Sequence, residues 1–138
     1  MASLRVGYFE GFNGQNTLLL DGDTEGLSAL ADVLGTIAAG SREAAALHSL
    51  PFVSVAGAIE VFAHRASSDI GILMRGKEFN WRRSSEGWTA VVEDILGVAE
   101  QGRCHQYLDA PSDDVVVMVS SGEYGEPWPR WRSAPETK

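Results

Sequence analysis

Two apolar stripes of identical spacing constrain this chain more than any other feature. Leu27, Leu30, Ala31, Leu34, Ile37 and Ala38 fall at i, i+3, i+4, i+7, i+10 and i+11, and Trp88, Val91, Val92, Ile95, Val98 and Ala99 repeat the series 61 residues later. That periodicity predicts two amphipathic helices, each with one face to bury. Asp23 or Thr24 is placed to cap the first helix, with Glu25 in its first turn and Gly40 as its stop. Ser84 or Ser85 caps the second, and Gly102 ends it. Neither serine completes a capping box, because the residues three positions on are Gly87 and Trp88.

Strand-like runs flank both helices. Leu4–Phe9 and Thr17–Leu20 precede the first; Ile70–Met74 and Glu78–Trp81 precede the second. A His-containing segment and an apolar run follow each: Leu47-His48 with Phe52–Phe62, and Cys104–Leu108 with Val115–Val119. Gly57 is expected to split the Phe52–Phe62 run, and the β-branched Val115–Val119 run reads as a central strand. The pattern fits a two-layer α+β fold, a mostly antiparallel sheet with two amphipathic helices on one face. At the 61-residue offset Glu25-Gly26 meets Glu86-Gly87 and Ala29 meets Ala90. A tandem ββαββ repeat and an ordinary pair of similar helices both accommodate these identities.

The body is expected over residues 1–120, with a C-terminal tail over 121–138. Pro127, Pro129 and Pro135 cannot continue a central strand, while Trp128 and Trp131 could tack the tail to the body. A chain of 138 residues buries enough surface for a core without disulfides, and one cysteine permits no intrachain bridge. The formal charge of −8 argues against nonspecific nucleic-acid binding. No signal-like segment opens the chain, and its longest stretch free of Asp, Glu, Lys and Arg, Ala44 to Ile59, has 16 residues. A cytoplasmic location without membrane attachment is the expectation.

Several groupings invite chemistry. Asp21-Gly22-Asp23-Thr24-Glu25-Gly26, with Asp32 at the twelfth position, imitates a calcium loop. A strand stands where the incoming helix is required, and the second half of the loop is helix face, so a capped strand-to-helix turn is expected and no metal. Adjacent strand residues point to opposite faces, which prevents Cys104 and His105 from acting as a thiol–imidazole pair. His48 and His105 would meet only if their strands paired, and two His make an incomplete zinc site. His64, beside Arg65 at the end of an apolar run, reads as a solvated strand end.

His105, Tyr107 and Asp109 share one strand face by period two, with Asp113, Asp114, Glu123 and Tyr124 close in sequence. Imidazole, phenol and carboxylate together suit a polar ligand or acid–base work. Asp109 also suits a turn-opening residue before Ala110-Pro111. Residues 65–83 carry a local charge of +3 against −11 for the remainder. Within them Trp81 and Arg82 read either as an interaction anchor or as a core Trp followed by a solvated Arg. No phosphate-binding glycine loop, nucleophile elbow or His-Glu-x-x-His pair is present, and no cofactor is expected.

The series His105-Gln-Tyr-Leu-Asp109, followed by Val-Val-Val-Met-Val-Ser-Ser-Gly-Glu-Tyr124, resembles small bacterial proteins. Together with the helix Leu27-Ser-Ala-Leu-Ala-Asp-Val-Leu34 it is similar to immunity-protein-like families of polymorphic toxin systems. The resemblance implies a non-catalytic α+β protein that binds one partner, and assigns no functional residues. The acidic body would suit a basic protein through electrostatic steering. The alternative is a small-molecule-binding protein or modest hydrolase using His105, Tyr107 and Asp109. A homodimer is the third reading.

Overall fold

The computed structural model describes residues 2–12, 14–102, 104–108 and 115–122. Its strands are β1 (Leu4–Phe12), β2 (Gln15–Gly22), β3 (Ala44–Ala46), β4 (Val53–Ala56), β5 (Glu60–Arg65), β6 (Gly71–Arg75), β7 (Glu78–Arg83), β8 (His105–Tyr107) and β9 (Val116–Ser121). The helices are α1 (Thr24–Ala38) and α2 (Ser85–Gln101), and a 3-10 turn covers Leu47–Ser49. This is an α+β fold. No helix among the described residues is long and apolar enough to cross a membrane.

The strands form two mixed sheets, ordered β4-β1-β2-β9-β8 and β3-β5-β7-β6, where one mostly antiparallel sheet was expected. Parallel ladders join β1 to β4, β2 to β9 and β5 to β7. The physical reason lies in the connections. A strand that follows a helix can lie parallel to a strand before one, and each helix here sends the chain to the sheet built on the other hairpin. Thus β1-β2-β9-β8 and β6-β7-β5-β3 show the same succession of antiparallel, parallel and antiparallel ladders. Strand β4 is added beside β1. Gly57, at φ 89°, turns the chain between β4 and β5, which enter different sheets.

Alternation along the strands builds one large core. Leu4, Val6, Leu18, Leu20, Val117 and Val119 come from the first sheet, and Val61, Ala63, Ile72, Phe79 and Trp81 from the second. Leu27, Leu30, Leu34, Ile37, Trp88, Val91, Ile95 and Val98 fill the same core from the two helices, which pack on each other. Helix α1 touches β2, β3 and β5, and α2 touches β7, β8 and β9, so the helix pair serves both sheets. Residues Val116–Ser121 are all buried, as a central strand between β2 and β8 requires.

The two helix starts explain the matched glycines. Asp23 caps α1 by accepting from the Gly26 amide at 2.6 Å, and Ser84 caps α2 by accepting from the Gly87 amide at 3.0 Å. A neighbouring segment crosses each cap. Ser3 accepts from the Asp23 amide at 3.1 Å, and Asp69 accepts from the Ser84 amide at 2.9 Å. A β-carbon on Gly26 would overlap the Ser3 backbone, and one on Gly87 would overlap the Asp69 carboxylate. Glycine is therefore required at position 26, where the obstacle is backbone, while at position 87 it leaves room for the Asp69 side chain.

Candidate functional site

Strand register assembles a polar row on the face of the first sheet opposite the main core. Ser54, Arg5, Asp21, Ser120 and His105 are successive cross-strand partners. Directly opposed residues share a face, so the five side chains form one line across the sheet. The next line is Ala56, Gly7, Leu19, Met118 and Tyr107. Leu19 and Met118 pack with Phe9 in a second apolar cluster.

The middle of the polar row is closed to solvent. Asp21 is 4 % exposed and Ser120 is fully buried. Ser120 Oγ donates to Asp21 Oδ1 at 2.5 Å, and Arg5 Nη2 lies 3.3 Å from Asp21 Oδ2. The Gly122 amide also donates to this carboxylate. Burial raises the Asp21 pKa above the ordinary carboxylate value, and the Ser120, Arg5 and Gly122 interactions pull it partly back. The arrangement ties β9 to β2 and β1. With its hydroxyl committed to Asp21 and no surface exposed, Ser120 is not presented as a nucleophile.

The exposed end of this face carries His105 and Tyr107 on the edge strand β8, their rings edge to face at 6.2 Å. The structure thus brings together these two expected residues. Asp109, Asp113, Asp114 and Glu123 lie outside the described residues. Sequence reasoning met Asp21 only as the first position of the calcium-like loop and did not join it to Arg5 and Ser120; the available signal was a carboxylate directly after the apolar run Leu18-Leu19-Leu20. Of the calcium-like motif, Asp21 faces Ser120 and Arg5, Asp23 caps α1, and Asp32 is exposed along α1.

The remaining histidines go to other tasks. His48 Nδ1 accepts from the Val61 amide at 2.9 Å beside the second sheet, while His105 stands in the first, so the two imidazoles do not share a site. His64 Nε2 lies 2.8 Å from Asn80 Oδ1, and its carbonyl accepts from Trp88 Nε1 at 2.9 Å. It is half-buried and bonded, where a solvated strand end was expected. The Cys104 thiol is directed to the Val98 carbonyl, at 3.8 Å, and not to His105.

Of the two readings of Trp81, the structure shows the core one. Trp81 is 0 % exposed and packs edge to face on Trp88 at 4.8 Å, because an inward position on β7 faces the shared core. Arg65 pairs with Glu43, and Arg83 Nη2 donates to the Leu108 carbonyl at 2.7 Å. These contacts hold the fold together. Arg82 is half-buried on the outer face of β7, opposite His64.

The helices show a different electrostatic surface. Glu25, Asp32, Glu86, Glu93 and Glu100 are exposed and Asp94 is half-buried, while α1 and α2 contain no Lys or Arg. No protein-family model, curated protein or solved structure matches this chain.

Proposed function

We propose that this chain is a non-catalytic protein-binding module for a basic partner, in keeping with its resemblance to immunity-protein-like families. The carrying observation is the separation of charge: six carboxylates and no cation on the two helices. Such a surface attracts a cationic protein, accelerates its encounter and repels nucleic acid and anionic membranes. Of the five cations of residues 65–83, Arg65 pairs with Glu43 and Arg83 donates to the Leu108 carbonyl, while Arg75 and Lys77 are exposed at the turn between β6 and β7, away from both helices in sequence.

The test is affinity capture from a lysate of the producing organism at low and high salt. A basic protein should be retained at low ionic strength and released at high, because screening shortens with salt. Replacing Glu25, Asp32 and Glu86 with Lys should abolish retention with the far-ultraviolet circular dichroism unchanged. Absence of any salt-sensitive partner would overturn the reading. So would a hydrolytic turnover that vanishes with His105→Ala.

A further inference from the structure

We propose that residues 123–138, outside the described residues, fold back over the outer face of the first sheet, with the indoles of Trp128 and Trp131 closing it, independently of what the helix charges bind. The described elements do not supply the burial found on that face.

Phe9, Thr17, Leu19, Val116, Met118 and Ser120 all face away from the main core, and each is buried. Both helices pack on the opposite face, and among the described residues only Ala56 of β4 joins Phe9, Leu19 and Met118. A sheet with one face on the core ordinarily leaves the other in water. The second sheet is in that state. Its inner strands β5 and β7 turn Phe62, His64, Asn80 and Arg82 outward, and all four are only half-buried. The cover on the first sheet is confined to β1, β2 and β9, since His105 and Tyr107 on β8 and Ser54 on β4 are exposed.

Two observations assign this cover to the C-terminal segment. Gly122, at φ 68°, turns the chain at the end of β9, and its amide donates to Asp21, which lies on the outer face. The chain thus leaves β9 on the side to be covered. The segment then supplies Tyr124, Trp128 and Trp131, with Pro127 and Pro129 on either side of Trp128. These prolines have no N–H to join a ladder and favour an extended chain of about 3.1 Å per residue. Trp128, six residues past Gly122, therefore has a reach of about 19 Å. Met118, four residues before Gly122, lies about 13 Å back along β9. Gly7, between Ala56 and Leu19 in the same row, is where a strand glycine admits close approach of another segment. The connection over 109–114 is Asp-Ala-Pro-Ser-Asp-Asp and holds no large apolar side chain to close Leu19 and Met118.

The experiment follows methionine oxidation by hydrogen peroxide in the full-length protein, quantified by peptide mass spectrometry. Met74, 38 % exposed on the edge strand β6, is the internal reference for Met118. In the wild type Met118 should oxidise at least about tenfold more slowly than Met74. In Trp128→Ser/Trp131→Ser, Met118 should approach the Met74 rate, with the Met74 rate and the far-ultraviolet circular dichroism unchanged. Hydroxyl-radical footprinting of the wild type should protect Trp128 or Trp131 as strongly as the core Trp88, a readout that stands even where the double variant fails to fold. An unchanged Met118 rate in the folded double variant would assign the cover to 109–114 and overturn the proposal. So would Trp128 and Trp131 both reacting as they do in urea. Met118 protection that falls on dilution of a self-associating protein would assign the cover to a second copy and overturn it equally.

Discussion

Replacing Asp21 with Ala should destabilise the protein by about 2–4 kcal/mol. The carboxylate serves three donors, and they fare differently once it is gone. Ser120 is fully buried, so its hydroxyl loses its acceptor with no water to replace it, a loss of about 1–3 kcal/mol. The Gly122 amide loses an acceptor as well, whereas Arg5, partly exposed at 19 %, can turn to solvent. Asp21→Asn keeps an acceptor and removes a buried charge, so it should lie within about 1 kcal/mol of the wild type at neutral pH.

The two variants also differ from the wild type in pH dependence. Because burial raises the folded pKa of Asp21, the folded protein holds a proton that the unfolded chain has released. Between the unfolded value, about 3.9, and the higher folded one, stability from this group falls as pH rises. Its stabilising contribution is complete below that window and lost above it. Urea unfolding from acidic to neutral pH, read as the difference between wild type and Asp21→Asn, should show this downward slope. An Asp21→Ala midpoint unchanged from wild type, or a difference slope of opposite sign, would refute the reasoning.

Gly26→Ala should cost about 1–3 kcal/mol by driving a β-carbon into the Ser3 backbone, whereas Gly35→Ala, with open space around it, should be neutral or stabilising; paired thermal melts compare them. Trp81→Ala should cost about 3–5 kcal/mol by emptying the core beside Trp88, a loss measurable by urea titration and inconsistent with a surface anchor. The Asp69 carboxylate is held below its usual pKa chiefly by the Ser84 amide. Its contribution to stability should be present above the unfolded value, about 3.9, and disappear as pH falls through the lower folded value. Asp69→Asn should remove that acid-side loss in melts followed by circular dichroism.

The elements were legible because their signals are local. Six apolar positions at helical spacing mark each helix, and Asp23 and Ser84 cap them as their side chains suggest. Gly57 divides its strand run, and the β-branched run ending at Val119 is central. The division into two sheets was not legible, since the partners of β5 and β9 are set by the route taken after each helix. The same distance in sequence hid the polar row. Asp21 and Ser120 are 99 residues apart, and only the parallel register of β2 and β9 makes them neighbours. Trp81 shows the converse limit. Trp-Arg-Arg in a basic stretch fits a surface anchor or a core Trp equally by composition, and strand alternation in the fold turns its Trp inward. The matched Glu-Gly pairs were visible as a repeat in spacing, but their cause, a segment crossing each cap, required the tertiary structure.

Carboxylate footprinting of the protein with its captured partner tests the central claim most directly. Carbodiimide coupling, quantified by mass spectrometry, reports the accessibility of each acidic side chain. Glu86, Glu93 and Glu100 on α2 should lose reactivity in the complex, while Glu60 and Glu78 on the second sheet should keep theirs. Protection of Glu60 and Glu78 with the α2 carboxylates still fully reactive would contradict it.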